Sequence, residues 1–223
     1  MRKPSFDERR KVGDAVHAAE AGTSGEIVTI IADRSDSYHD VGLHYAVLAA
    51  LLVPLLFAGW PGLLLGLIER VSGGWAGAEI RDVMLIAFVT MTLVFLAVRY
   101  GLNYMPLRLR LTPKGTRRRR VRRRAIELFK VGTEARTAGR TGILIYLSLG
   151  EHMAEIIADE AIHTKVADSE WGEAMAAMVA EVREGRIADG MIAAVGRVGT
   201  LLATHLPRAT DDVNELPDRL IEL

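Results

Sequence analysis

The sequence predicts an α/β fold: a small layered domain of sheet and helices, interrupted by a transmembrane helical hairpin. Three observations predict it. Short β-branched runs stand on both sides of the chain's middle, two long uncharged apolar stretches lie between them, and basic residues crowd onto one flank of those stretches. Half of the 223 residues are hydrophobic, which favours a bilayer over two soluble domains. There is no cysteine, so disulfides, thiolate metal sites and cysteine nucleophiles are excluded.

The first element is a helix. Ser5-Phe6-Asp7-Glu8 reads as a capping box, Val12, Ala15, Val16 and Ala19 make an apolar stripe, and Gly22 closes the helix. Glu26 to Ala32 (EIVTIIA) is apolar on both faces apart from Thr29, the pattern of an interior strand parallel to its neighbour. From Leu43 to Ile68 run 26 residues without a formal charge, where about 20 cross a bilayer. Pro54 and Pro61 either bend this span or end it near Trp60, after which the chain continues as an interfacial segment. The second span is centred on Val83 to Val98, extended by Ile80 and by Tyr100 to Met105. Trp60, Trp75, Tyr45, Tyr100 and Tyr104 suit an interfacial belt.

Charge is segregated along the chain. Residues 1 to 82 carry eight Lys/Arg and eleven Asp/Glu, residues 83 to 126 eleven and none, and residues 127 to 223 nine and seventeen. The formal neutrality is therefore a sum of unlike parts. Positive residues number two between Glu69 and Asp82 and eleven after the second span, a bias that places both termini in the cytoplasm.

Those eleven include seven arginines in eight positions: Arg117, Arg118, Arg119, Arg120, Arg122, Arg123 and Arg124. Thr112 and Pro113 form an N-cap and first-turn pair for a helix whose one face carries Val121, Ala125, Leu128, Phe129 and Gly132. The favoured partner of the arginines is an anionic lipid surface, worth about 1 kcal/mol per basic residue. A solvated or protein-docked helix is the second reading. Nucleic acid is the weakest, because no aromatic residue interrupts the arginines to stack a base and the adjoining domain is acidic.

Gly142 to Leu149 (GILIYLSL) and Met153 to Asp159 (MAEIIAD) are further strands, joined through Gly150-Glu151-His152 as a hairpin. Two helices follow. Ser169 to Glu184, capped by Asp168 or Ser169, carries Trp171, Met175, Met178, Val179 and Val182; Ile187 to His205 carries Met191, Val195, Val198 and Leu202. The tail from Arg208 to Leu223 is polar, with at most a short helix at its end, and is expected to be loosely held. The predicted organisation is residues 1–40 as the first part of the domain and 41–104 as the hairpin, with spans of about 43–68 and 80–102 and a loop at 69–79. Residues 105–207 hold the basic helix and the remainder of the domain, and 208–223 the tail.

Candidate chemistry is sparse. Asp33, Ser35, Asp36, His39 and Asp40 cluster after the first strand, where α/β sheets bind ligands, and three carboxylates with an imidazole suit a hard divalent cation. The competing and favoured reading is a solvated polar cap at the entry to the membrane. Glu151 and His152 read as a hairpin turn, and Asp159 joins an acidic site only if it converges with Asp33 at one sheet end. There is no G-x-S-x-G, P-loop or G-x-G-x-x-G motif. Gly62 and Gly66 form a G-x-x-x-G that suits homo-oligomeric helix packing, or nothing beyond ordinary membrane-helix composition.

SGEIVTIIADR, AIELFKVG, GRTGILIYLSLGEHMAEIIADEAI, a tryptophan-led helix and GRIADGMIAAVGRVGTLLATHLP together resemble the TPM domain family. The family takes its name from a thylakoid lumen protein, a photosystem II repair factor and a nematode receptor modulator. The resemblance covers about residues 5 to 40 and 115 to 207. It implies a central sheet between helices and, from plant members, acid phosphatase activity and a divalent cation, Ca or Mg, held by acidic residues at a sheet end. Asp33, Asp36 and Asp159 are the metal candidates carried here. Typical members place Asp or Asn before the glycine opening the second strand, and here Thr141 stands there, preceded by Arg140. Other members act as assembly or modulatory factors. The expectation is an inner-membrane, multi-pass protein whose cytoplasmic TPM-like domain is an interaction or regulatory module with an unidentified protein partner. The alternative is a metal-dependent phosphatase.

Overall fold

The computed structural model describes residues 2–72, 79–134, 141–209, 214 and 216–223. It divides into two units, Met1–Asp36 with Lys114–Leu223, and Ser37–Pro113.

In the first unit, α1 (Phe6–Glu20) starts on the expected capping box: Ser5 accepts from the Glu8 N–H while the Glu8 carboxylate accepts from the Ser5 N–H. Three strands follow the apolar runs: β1 (Glu26–Ala32), β2 (Gly142–Ser148) and β3 (Met153–Ala158). β1 and β2 are parallel, paired from Glu26↔Gly142 to Ala32↔Ser148, and β2 and β3 form an antiparallel hairpin. Every residue of β1 and β2 is buried, as an interior strand requires.

Helices cover both faces. α6 (Lys114–Phe129) lays Val121, Ala125 and Phe129 against Val28, Ile30, Leu144 and Tyr146. On the opposite face α1, the short α7 (Glu160–His163), α8 (Asp168–Arg183) and α9 (Ile187–His205) enclose Ile27, Ile31, Ile143, Ile145 and Leu147. Alternate residues of each strand thus serve opposite layers. Gly199 lets α1 and α9 touch, since a Cβ there would stand 2.6 Å from that of Ala19.

The tail departs from expectation. Leu216 and Leu220 are buried, and β4 (Leu220–Glu222) pairs parallel with β1, completing a sheet of order β3-β2-β1-β4. The reason is the free edge of β1, which offers backbone partners to a segment with little β signal of its own. The N-cap of α8 is Ala167, not Asp168 or Ser169. Thr112 does not cap the basic helix, because its hydroxyl donates to the Arg108 carbonyl at 2.8 Å.

In the second unit α2 (His39–Gly59) keeps Pro54 within it and ends at Trp60, and α3 (Pro61–Ser72) begins at the next proline. The apolar run 43–68 is therefore two helices, broken at Trp60 as the second of the two expectations had it, because the residue before a proline is held out of the α region; Trp60 has φ −135° and ψ 74°. Gly62 and Gly66 lie on α3, with nothing within 4 Å of where their Cβ atoms would be. α4 (Ile80–Gly101) packs on α2, whose buried seam is Gly42, Ala46, Ala50, Val53 and Phe57. Small residues at four-residue spacing let the backbones approach, as in membrane helix pairs. α5 (Met105–Leu111) follows α4 and was not foreseen. Trp75 of the expected aromatic belt and Arg140 lie outside the described residues.

Candidate functional site

Beyond β1, the chain at Asp33 to Asp36 meets the β2–β3 turn. Asp33 accepts Gly150 N–H on its carbonyl at 2.8 Å, and its exposed carboxylate pairs with Lys3 at 2.8 Å. Ser35 donates its N–H to Glu151 Oε1 at 2.9 Å, and its hydroxyl lies 3.0 Å from that of Tyr146. Ser148 donates to the other oxygen of Glu151. Tyr146, Ser148 and Glu151 are all buried. Burial pushes the Tyr146 phenol above its ordinary range; the Ser35 hydrogen bond opposes this, and the Glu151 charge adds to it.

This network is a staple. Two oxygens of one buried carboxylate tie the segment leaving β1 to the hairpin, and the Tyr146 and Ser148 hydroxyls beside it are buried. Sequence reasoning took Glu151 for a turn residue; Ser148 one turn earlier on an interior strand was the available signal, because a buried hydroxyl needs a partner. Asp36 pairs with Arg120 at 2.9 Å.

Asp159 is elsewhere. Its carboxylate accepts the Gly142 N–H at 3.0 Å, and Gly142 pairs with Glu26 at the opposite end of β1 from Asp33. The seven residues of β1, about 20 Å, separate the two ends. Asp33, Asp36 and Asp159 therefore do not form one ligand set, and among the described residues no group of three or more His, Asp or Glu is arranged to hold a metal ion. The donors do not fit the expected cation. Thr141, in the place of the family's Asp or Asn, donates to the Ser24 carbonyl at 2.9 Å.

The Asp159 end of the sheet gathers other carboxyls. Glu20 Oε1 accepts the Ile27 N–H at 2.7 Å, while Asp218 accepts from Asn214 at 2.7 Å and meets His17 Nδ1 at 2.7 Å. Burial, with Glu26 and Asp218 nearby, pushes Glu20 up to about 8 in spite of the Ile27 hydrogen bond. Burial raises Asp218 too, but hydrogen bonds with Asn214, His17 and Glu20 outweigh it and hold Asp218 below its ordinary value.

On α6 the arginines divide. Arg118, Arg119, Arg122, Arg123 and Arg124 are exposed, whereas Arg117 and Arg120 are half-buried. Arg122 stands 3.6 Å from Glu155, and Arg123 and Arg124 flank Glu127 at 3.0 and 3.6 Å. Burial raises Glu155, against the charges of Arg122 and Arg118.

In the other unit, Arg108 is not one of the free surface charges. It is 2% exposed and donates to the carbonyls of Leu102 and Ser37, both at 2.7 Å, to Asn103 Oδ1 at 3.2 Å, and toward His39 Nδ1 at 3.3 Å. It joins the start of α2 to the end of α4. His39 serves this joint and not a metal cluster with Asp33.

Residues 112–201 match the family model of the TPM domain. The chain carries a TPM domain. The matched stretch holds α6, β2, β3, α7, α8 and most of α9; outside it, β1 and β4 join the same sheet and α1 packs on α9. Among solved structures, the BA42 protein of the psychrophilic bacterium Bizionia argentinensis, determined by NMR, is similar in fold. Its TM-score is 0.57 at 17% identity, with 100% of this chain and 97% of that chain covered. No curated protein gives a significant match.

Proposed function

We propose that the protein is an integral inner-membrane protein in which α2 and α4 cross the bilayer and the TPM domain, on the cytoplasmic side, is a membrane-tethered interaction or regulatory module. The carrying observation is the outer surface of the two helices. Leu48, Leu51, Leu52 and Leu55 on α2, and Met84, Leu85, Phe88 and Leu93 on α4, are exposed, an arrangement that water penalises and lipid accepts. Three described helices are long and apolar enough to cross a membrane: α2, α4 and α9. The stripe of α9 is already spent on the domain core through Met191, Val195, Val198 and Leu202, which favours the other two as the spans.

The orientation rests on the basic residues that follow α4. Even with Arg108 set aside as buried, ten Lys/Arg between Arg99 and Arg124 outnumber the two between Glu69 and Asp82. The exposed arginines of α6 begin at Arg118, 17 residues after α4 ends at Gly101, and suit anionic headgroups. A binding role for the TPM domain is favoured over hydrolysis because its buried hydroxyls and carboxylates are engaged with one another. Alkaline carbonate extraction of native membranes tests the tether. The protein is expected to stay in the pellet, and release into the supernatant would remove the reading.

A further inference from the structure

β3 is an edge strand, and among the described residues nothing pairs with the side of it that faces away from β2. Every second backbone N–H and C=O of Met153–Ala158 is thus unclaimed by the sheet, and each of its residues is half-exposed. Edges are commonly blunted by lysine, proline or a bulge. β3 carries no lysine or proline, and its one charged residue, Glu155, is drawn to Arg122 of α6.

Between the start of this strand and α8 lies a cavity of about 300 Å³, lined by Leu147, Met153, Ala154, Met178 and Val182. Its charged or titratable lining residues are both basic types, His152 and Arg183. Their side chains are exposed and have no hydrogen-bond or ion-pair partner among the described residues. Arg186, three residues further on, is by contrast occupied by Glu181 and Glu184. The two methionines give the cavity walls that adapt to a guest.

We infer that this groove receives an extended peptide ending in a free carboxylate, paired along β3, with an apolar side chain in the cavity and the carboxylate at Arg183 and His152. Strand addition supplies main-chain hydrogen bonds, and the cavity with Arg183 and His152 supplies selection. The direction follows from chain order. His152 immediately precedes β3, so a peptide whose carboxylate lies there runs antiparallel to β3, the pairing β3 already makes with β2. The charge of the cavity favours this occupant over a neutral or basic segment, and the open edge favours a peptide over a fatty acid. The inference rests on the reading of the TPM domain as a binding module and names its class of partner.

The test uses the whole protein in lipid nanodiscs and a hexapeptide pool, randomised at five positions and ending in Leu, Val, Ile or Phe with a free carboxylate. The same pool amidated, and decanoate, are the controls. Saturable retention of the carboxylate pool is expected, at least tenfold above the amidated pool. Arg183→Gln should erase that difference, and amides 153–158 should gain at least tenfold hydrogen-exchange protection. Equal retention of the two pools, no saturable retention, or competition by decanoate without protection of β3 would each overturn it. In-cell crosslinking distinguishes the two levels: a protein partner caught at α6, with no peptide retained, leaves the module and removes the groove.

Discussion

Replacing Glu20 by Gln should stabilise the domain, and only above mildly acidic pH. Glu20 closes α1 with its carboxyl against the start of β1, and its folded-state value is raised from 4.5 to about 8. Below pH 4.5 both folded and unfolded chains hold the proton. Between 4.5 and about 8 only the folded chain holds it, so stability falls as pH rises across that interval and levels off above it. Each pH unit there is worth about 1.4 kcal/mol, which sets a ceiling of about 5 kcal/mol. A cavity of about 90 Å³ beside the carboxyl relieves the ionised form, so about 2 kcal/mol is expected at pH 8.5. For a domain of this size that is roughly a 6 °C rise in Tm for the variant. The assay is thermal unfolding in detergent, followed by the fluorescence of Trp171 in α8, for wild type and Glu20→Gln from pH 5 to 9. Curves that diverge with rising pH, the variant above, support the reasoning. Parallel curves, or a variant that is worse at pH 8.5, refute it.

Glu151→Ala should cost about 3 kcal/mol, because it strands the buried Ser148 hydroxyl and the Ser35 N–H; urea unfolding of the solubilised protein measures it. Gly199→Val should cost about 2 kcal/mol or more, since even a single Cβ meets Ala19 at 2.6 Å; the same unfolding assay applies, with Ala19→Gly expected to recover part of the loss. Arg108→Met should loosen the helical hairpin by about 2 kcal/mol, leaving the Leu102 and Ser37 carbonyls without their donor, seen as a lower SDS mole fraction at the unfolding midpoint in mixed micelles.

The three long strands were legible in the sequence because each is an unbroken β-branched run whose burial on both faces leaves little choice of element. β4 was not, since three residues in a polar tail become a strand only when β1 offers an edge. A hairpin at Gly150-Glu151-His152 already implies that Asp159 returns to the Gly142 end of the sheet. Combined with the parallel pairing of β1 and β2, that register separates Asp159 from Asp33. The burial of Arg108 was invisible because it depends on the corner between α4 and α5, where an arginine in a basic stretch looks like every other. Glu20 was equally hidden: a glutamate at a helix end is ordinary until a strand N–H and the tail's Asn214 and Asp218 close over it.

The absence of cysteine makes the membrane claim directly measurable. Single cysteines at Val71, after the first span, and at Glu127, on α6, are treated in intact cells with a membrane-impermeant maleimide. The account predicts labelling of Val71→Cys from outside, and labelling of Glu127→Cys only after the inner membrane is permeabilised. Labelling of both from outside, or of Glu127→Cys alone, would contradict it.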